Sequence, residues 1–328
     1  MKRLLFAMLA TVAIPGFAQT ELRLLNGWDT RFPGTPLIVD PFVANVAKAS
    51  ANKYRVRVSG PEVVQPFEQF QPVSRGAFDL LHTTTPYHAG QSTVGFGLFN
   101  YEPDVAAWRQ AGAWDLLDRD YQSHNLKLLA IVLHQRPGNG GNHILLKEPL
   151  GAAKDLKGRK IRGIRGNFTP VIEGFGGTSV VLAGGEIYSA IQKGTIDGAA
   201  WPVLGAVDFK WYEVAKYMTR PTFAFTLSLL LMNHDKFKAL PEADRKMLLD
   251  EGARIEIAGR DAMDKRQGEE IDELKRRGVQ ETLFDPAELA KVMRQRVDAL
   301  WQVAEAHAPS APAARELRAL GKKAGFEK

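Results

Sequence analysis

The sequence has no cysteine, so disulfides, thiolate metal sites and a cysteine nucleophile are all excluded. Such a chain is held by its apolar core alone, and it suits an oxidising compartment. A membrane-spanning run is also missing. The apolar stretch 4–14 is cut off by Pro15 and Gly16, well short of the roughly 20 residues a span requires. Blocks of like charge, fixed-period repeats and low-complexity tracts are absent too. The formal charge is +6 over 328 residues, with Lys and Arg interleaved among Asp and Glu. That pattern gives no footing for nucleic acid, while a mild positive excess suits a protein that collects anions.

Several catalytic signatures are lacking as well. No G-x-S-x-G elbow occurs, which argues against an α/β-hydrolase. The glycine-rich stretch 137–142 lacks the Lys-Ser/Thr of a phosphate loop and reads as a turn. None of the seven histidines forms H-E-x-x-H or another close ligand pair, so no metal is expected. His88 could line a site, but a lone histidine near a strand end is as often structural.

At the amino terminus, Lys2 and Arg3 precede the short apolar run, and Gly16-Phe17-Ala18 places small residues where a signal peptidase reads. This is the pattern of a secretory signal peptide cleaved after Ala18, which lowers the formal charge to +4. A periplasmic location follows. No cysteine follows the apolar run, so a lipid anchor is not expected.

The remaining composition, 45% hydrophobic and 24% charged, is that of an ordinary globular protein. Strands are read at 22–25, 54–58, 78–82, 126–133, 160–164, 179–182, 196–201 and 223–232. The last is expected to cross between lobes. Helices are read at 42–50, 65–75, 104–118, 171–175 and 186–193. After Pro241 the chain turns helical, and Asp285-Pro286 caps a helix running to about 306. Alternating strands and helices predict mainly parallel sheets. The expected fold is α/β and two-lobed, of the type II periplasmic binding kind, with hinge-linked mixed sheets and a helical C-terminal third. Residues 19–140 with about 223–255 are assigned to lobe I. Residues from about 141–222, with 256–328 and the long C-terminal helices, are assigned to lobe II. Ligands of such folds bind outside the strand ends, here between lobes.

The informative segment is Asp155-Leu156-Lys157-Gly158-Arg159-Lys160-Ile161-Arg162. It is followed by Glu186-Ile187-Tyr188-Ser189-Ala190-Ile191-Gln192-Lys193-Gly194 and Ile196-Asp197-Gly198. These two motifs, in this order, resemble the solute-binding proteins of tripartite ATP-independent periplasmic (TRAP) transporters. The stretch Gly76-Ala77-Phe78-Asp79-Leu80 also fits, and the resemblance covers nearly the whole mature chain. It implies a binder of a small organic acid and not an enzyme. Binding energy would close the lobes, and the membrane subunits of the transporter would recognise the closed form.

Arg162 sits at a strand end facing the expected crevice, where its planar fork can hold a carboxylate at two points. The resemblance assigns it that role, and unliganded it should be largely hydrated. Arg165 should point to solvent. Trp201 matches a position that contacts ligand in the family. Trp28, Thr84 and Tyr87 follow strands and should reach the cleft; Asp29, Phe67, Thr85 and Phe168 are further candidates. Glu186, Tyr188 and Gln192 belong to a structural helix, although Tyr188 could touch ligand.

Two departures from the family limit the ligand. Some relatives carry a second arginine where this chain has Asn142, which argues against a two-arginine dicarboxylate site. Relatives binding a metal beside a 2-oxoacid have Glu before the tryptophan, where this chain has Ala200; neither metal nor cofactor is expected. The many aromatic candidates favour a monocarboxylate with a ring or apolar body. A monomer is expected, with a dimer as the alternative. The competing readings are a binder serving a sensor or an ATP-driven transporter, and a periplasmic enzyme acting on an organic acid.

Overall fold

A computed structural model describes residues 19–134 and 141–327. The expected signal peptide at 1–18 and most of the turn at 137–142 lie outside the described residues. Strands of the first lobe form a five-stranded sheet in the order β2 (Tyr54–Ser59), β1 (Thr20–Asn26), β3 (Leu80–Thr83), β10 (Leu227–Asn233) and β4 (Leu126–Leu133). The second lobe has a six-stranded sheet in the order β11 (Gln280–Leu283), β9 (Tyr217–Arg220), β5 (Asn142–Leu146), β8 (Gly198–Pro202), β6 (Lys160–Gly163) and β7 (Thr178–Val181). β4 and β10 are apolar almost throughout and, apart from the half-buried Lys127, buried along their length; β10 is paired on both sides and β4 closes the edge of the sheet.

The sheets are not purely parallel. β10 runs against β3 and β4, and β5 runs against β8 and β9; the other pairs are parallel. The connectivity gives the reason. A strand that ends a β-α unit leaves at the cleft edge, whereas β5 and β10 each arrive from the other lobe and start there.

The two interlobe connections are hydrogen-bonded to each other at both ends. The His134 amide donates to the Thr226 carbonyl at 2.9 Å on the first-lobe side. On the second-lobe side Asn142 and Phe223 exchange backbone hydrogen bonds at 2.8 and 2.9 Å. The segment expected to cross between lobes therefore does so, at 223–226.

β5, β9 and β11 were not expected from the sequence. The helix expected over 104–118 is two helices, Val105–Ala111 and Ala113–Ser123, broken at Gly112. Beyond Pro241 a single 35-residue helix, Glu242–Arg276, spans roughly 50 Å. Gly252 lets it lie against β4, since a Cβ there would come within 2.1 Å of the Leu129 carbonyl oxygen. The Asp285 side chain caps the next helix, Pro286–Ala306, by accepting from the amides of Ala287 and Glu288.

Assigning 256–328 wholly to the second lobe fails for the last two helices. Pro286–Ala306 and Ala311–Ala324 carry Leu300, Trp301, Ala304 and Leu317 into the first lobe's apolar core, beside Phe99, Tyr101 and Trp108. Their apolar faces find cover on the 94–100 segment and the helix Ala113–Ser123 of that lobe, each large buried side chain contributing about 1.5–3 kcal/mol.

Candidate ligand-binding site

The strand ends of both lobes meet across one cleft. From the first lobe come Trp28, just past β1, Thr84, just past β3, His134, just past β4, and Thr226, just before β10. From the second come Ile164 and Phe168, past β6, and Trp201, near the end of β8. With Phe32, Tyr87 and Asn167 among the other lining residues, they surround a tight space with a cavity volume of about 20 Å³.

Local structure fixes the aromatic walls. The Asn26 side chain donates to Thr35 Oγ1 at 2.8 Å and accepts from the Trp28 amide at 3.3 Å. It also engages His82 Nδ1 at 2.9 Å, which sets the turn that carries Trp28. The Trp28 ring packs on Phe32, His82 and Tyr87 with centroids 4.9–5.3 Å apart. On the opposite wall Trp201 Nε1 donates to the Leu204 carbonyl at 3.0 Å. Its indole stands edge-on to Trp211 at 5.1 Å and to Phe32 at 6.1 Å. These rings are locked in orientation before any ligand arrives, which reduces the ordering cost of binding.

Arg162 is not one of the side chains that line this space, but it touches two that are, Trp201 and Tyr87. Its guanidinium carbon lies 4.5 Å from the Trp201 ring centroid, and the Tyr87 hydroxyl is its polar neighbour. Nε donates to the Leu182 carbonyl at 2.9 Å and Nη1 to the Ala200 carbonyl at 3.2 Å. Nη2 is buried without a well-formed hydrogen bond, and no carboxylate of the described residues pairs with the group. The expectation of a largely hydrated arginine is corrected: Arg162 is fully buried, because Tyr87 and Trp201 of facing walls close over it. Burial lowers its pKa to about 10, against a raising effect of Tyr87, so it remains a cation at neutral pH. A buried cation without an anion is costly; its two backbone acceptors orient the fork and leave one nitrogen for a further oxygen.

The remaining candidates fall into place around this core. Asn142 is buried at the start of β5, where its side-chain carbonyl accepts from Thr226 Oγ1 at 2.9 Å and its Nδ2 is unpaired. It stands behind the wall that Thr226 forms. Phe168 lines the enclosure directly. Phe67 does not; it packs edge-on behind Tyr87 at 5.0 Å. Asp29 also lies outside, at the cleft mouth, bound to Arg31 at 2.7 Å. The Thr85 side chain turns away to pack against Gly95 inside the first lobe.

Arg165 is exposed. Tyr188 reaches Glu213 at 2.8 Å, clear of the enclosure. Glu186 bonds the Ala183 amide at 2.9 Å. His88 is structural: it bonds the Tyr121 hydroxyl at 2.9 Å and stacks on Phe70.

Sequence reasoning missed Phe32, His134, Ile164, Asn167 and Thr226. Each lies within a few residues of a strand end, the signal that had marked Trp28 and Thr84. The strand end at Leu133 was legible and pointed to His134. Asn167 is held from behind by Arg296, a second buried arginine, which donates to its backbone carbonyl at 3.2 Å and to Oδ1 at 2.5 Å; nothing local in the sequence signals that contact.

Among the described residues no helix is long and apolar enough to cross a membrane, and no group of three or more acidic or histidine side chains could hold a metal ion.

Residues 39–307 match the family described as bacterial extracellular solute-binding protein, family 7 (DctP). A solute-binding protein of Albidiferax ferrireducens is 28% identical over 255 residues, which cover 73% of this chain and 74% of that one. A monocarboxylate 2-oxoacid-binding periplasmic protein of a Nostoc species is 27% identical over 57% of this chain and 51% of its own. Among solved structures, a TRAP periplasmic solute binding protein from Desulfovibrio salexigens with bound orotic acid aligns with a TM-score of 0.80 at 18% identity, covering 93% of this chain and 98% of that one. One from Rhodoferax ferrireducens with bound malonate aligns at 0.79 and 22% identity, covering 92% and 98%. These solved structures share the two-lobed fold.

Proposed function

Because the chain belongs to family 7 of the bacterial extracellular solute-binding proteins, we propose that its cleft captures a small monocarboxylate with a ring or apolar body, held through Arg162. The protein is the extracytoplasmic solute receptor of a TRAP transporter and works with that transporter's membrane subunits. It has no catalytic task in this reading: binding energy closes two lobes about the two interlobe connections, and the closed form is delivered to the membrane. The receptor acts as a monomer, exported by a signal peptide cleaved after Ala18, and takes no metal, since Ala200 supplies no carboxylate.

The observation that carries the ligand reading is Arg162. A fully buried guanidinium with no acidic partner among the described residues, and with one nitrogen unpaired, is complementary to a carboxylate. Trp28, Phe32, Ile164 and Phe168 form apolar walls around the adjacent space, the usual setting for a few orienting polar groups. A single well-placed cation favours one carboxylate over two. The other ligands named for solved relatives, malonate among them, are alternatives in the test.

The test is a thermal-shift screen of organic acids, each paired with its primary amide. A ring-bearing monocarboxylate should raise the melting temperature by several degrees at millimolar concentration, as mass action requires, and its amide should not. Equal responses to acid and amide, or responses to short dicarboxylates alone, would refute the reading.

A further inference from the structure

We propose that His134 selects the cargo: the ligand carries, besides its carboxylate, a neutral hydrogen-bonding group, a hydroxyl or an amide, that is bound by His134 with Thr84. This rests on the reading that Arg162 takes the carboxylate, and it goes further by naming the second recognition point and the substrate class it imposes.

His134 is fully buried and lines the enclosure. Both of its ring nitrogens are buried without a hydrogen-bond partner. Other buried histidines are anchored on one side: His82 Nδ1 by Asn26 at 2.9 Å and His88 Nε2 by the Tyr121 hydroxyl at 2.9 Å. A structural histidine satisfies at least one nitrogen in this way; His134 satisfies neither. The Thr84 hydroxyl lines the same space and is likewise unpaired. Buried polar groups left unpaired are rare in native interiors and call for an explanation.

The chemistry of the partner follows from that of the imidazole. His134 is packed against Phe32 at 5.6 Å and Trp28 at 6.2 Å, and its titratable neighbour is His82, itself buried and neutral. Desolvation lowers the His134 pKa to about 3, so the ring is neutral at physiological pH. A neutral imidazole offers one N–H and one lone pair, which suits a hydroxyl or an amide. It gives a second carboxylate no counter-charge, and an apolar group leaves both nitrogens desolvated and unmatched.

Position adds a closure argument. His134 directly follows β4 of the first lobe and its amide is tied to the Thr226 carbonyl, whereas Arg162 belongs to β6 of the second lobe. A ligand bound at both ends holds the two lobes together, and one lacking the second group holds only one of them.

The experiment is calorimetry with matched pairs: pyroglutamate with cyclopentanecarboxylate, 4-hydroxybenzoate with benzoate, and mandelate with phenylacetate. The polar member of at least one pair should bind wild type about 10-fold or more tightly than its apolar partner, because an unmatched buried polar group is costly. His134→Phe should bring that ratio to within about threefold, and His134→Gln, which keeps a donor and an acceptor, should restore part of it.

Apolar members binding as well as polar ones in wild type, no polar member binding at all, or an unchanged ratio in His134→Phe would overturn the proposal. The wild-type ratio needs no variant to fold. The primary amide of the best-bound acid separates the two claims: binding of that amide as tight as the acid's overturns the carboxylate reading, while the hydroxyl ratio is judged independently.

Discussion

The guanidinium carbon of Arg31 lies 5.0 Å from the centroid of the Phe209 ring, and the two residues belong to opposite walls of the cleft mouth. Asp29 holds the guanidinium in place through both of its oxygens, at 3.1 and 2.7 Å. Phe209 stacks on Trp211 at 5.0 Å, and Trp211 meets Trp201 at 5.1 Å. The contact at the mouth thus bridges the two walls and continues a train of rings leading to the enclosure.

A cation over an aromatic face at an exposed site is worth about 0.5–1 kcal/mol. Arg31→Ala should therefore speed ligand release about two- to fivefold and leave the association rate unchanged. Stopped-flow fluorescence of the tryptophans measures both rates. An unaltered release rate would mean the contact contributes nothing to closure.

Glu270 ties the long helix to the loop beyond Trp201. It is fully buried, accepts from the amides of Gly205 and Val207 at 2.9 and 2.8 Å, and lies 3.8 Å from Arg266. Burial raises its pKa to about 7, only partly offset by those amides. The sign follows from linkage: the folded protein binds the proton more tightly than the unfolded chain, whose value is near 4.3. Stability from this group is present at low pH and falls as pH rises from about 4.5 to about 7. Glu270→Gln should remove that component. Melting curves of wild type and variant should converge near pH 5 and diverge toward pH 8, with wild type losing more. Parallel curves across this range would contradict the assignment.

The backbone at Gly184 leaves room for the Trp201 indole: a Cβ there would come within 2.7 Å of Cη2. Because Trp201 is held by Leu204, Trp211 and Phe32, it cannot yield freely. Gly184→Ala should displace the ring that stacks on Arg162 and weaken ligand binding about 10-fold, with a smaller effect on melting, because residues 184–186 form a short surface turn. Titration of the same ligand into both proteins checks this. Native affinity in the variant would show that the exact ring position is unimportant.

Much of this architecture was legible in the sequence because strand periodicity and turn residues are local signals. They located β1, β2, β3, β4, β6, β7, β8 and β10, and with them the cleft edge where Trp28, Thr84 and Phe168 stand. The motif pair pointed to Arg162, and the structure puts that residue beside Trp201 and Tyr87. What escaped was non-local. β5 and β9 are short segments whose strand character comes from pairing with each other and with β8 and β11 of the same sheet, not from alternation. Thr85 and Phe67 follow strands or turns as Thr84 and Tyr87 do, yet their side chains point elsewhere, since one residue's shift in a tight turn reverses direction. The burial of Arg162 depends on two facing walls closing together, which no window of sequence records.

The central claim is that Arg162 holds the ligand carboxylate. Its most direct test is a calorimetric titration of the acid selected by screening into wild type, Arg162→Lys and Arg162→Ala, with melting curves run alongside. Lysine keeps the charge but not the planar fork, and alanine removes both. Losing one partner of a desolvated pair costs about 2–5 kcal/mol, which is roughly a 30-fold to several-thousand-fold loss of affinity. The account predicts a loss of at least about 30-fold for alanine and a substantial loss for lysine in proteins that still melt cooperatively. Near-native affinity in either folded variant would contradict it and show that the carboxylate is bound elsewhere.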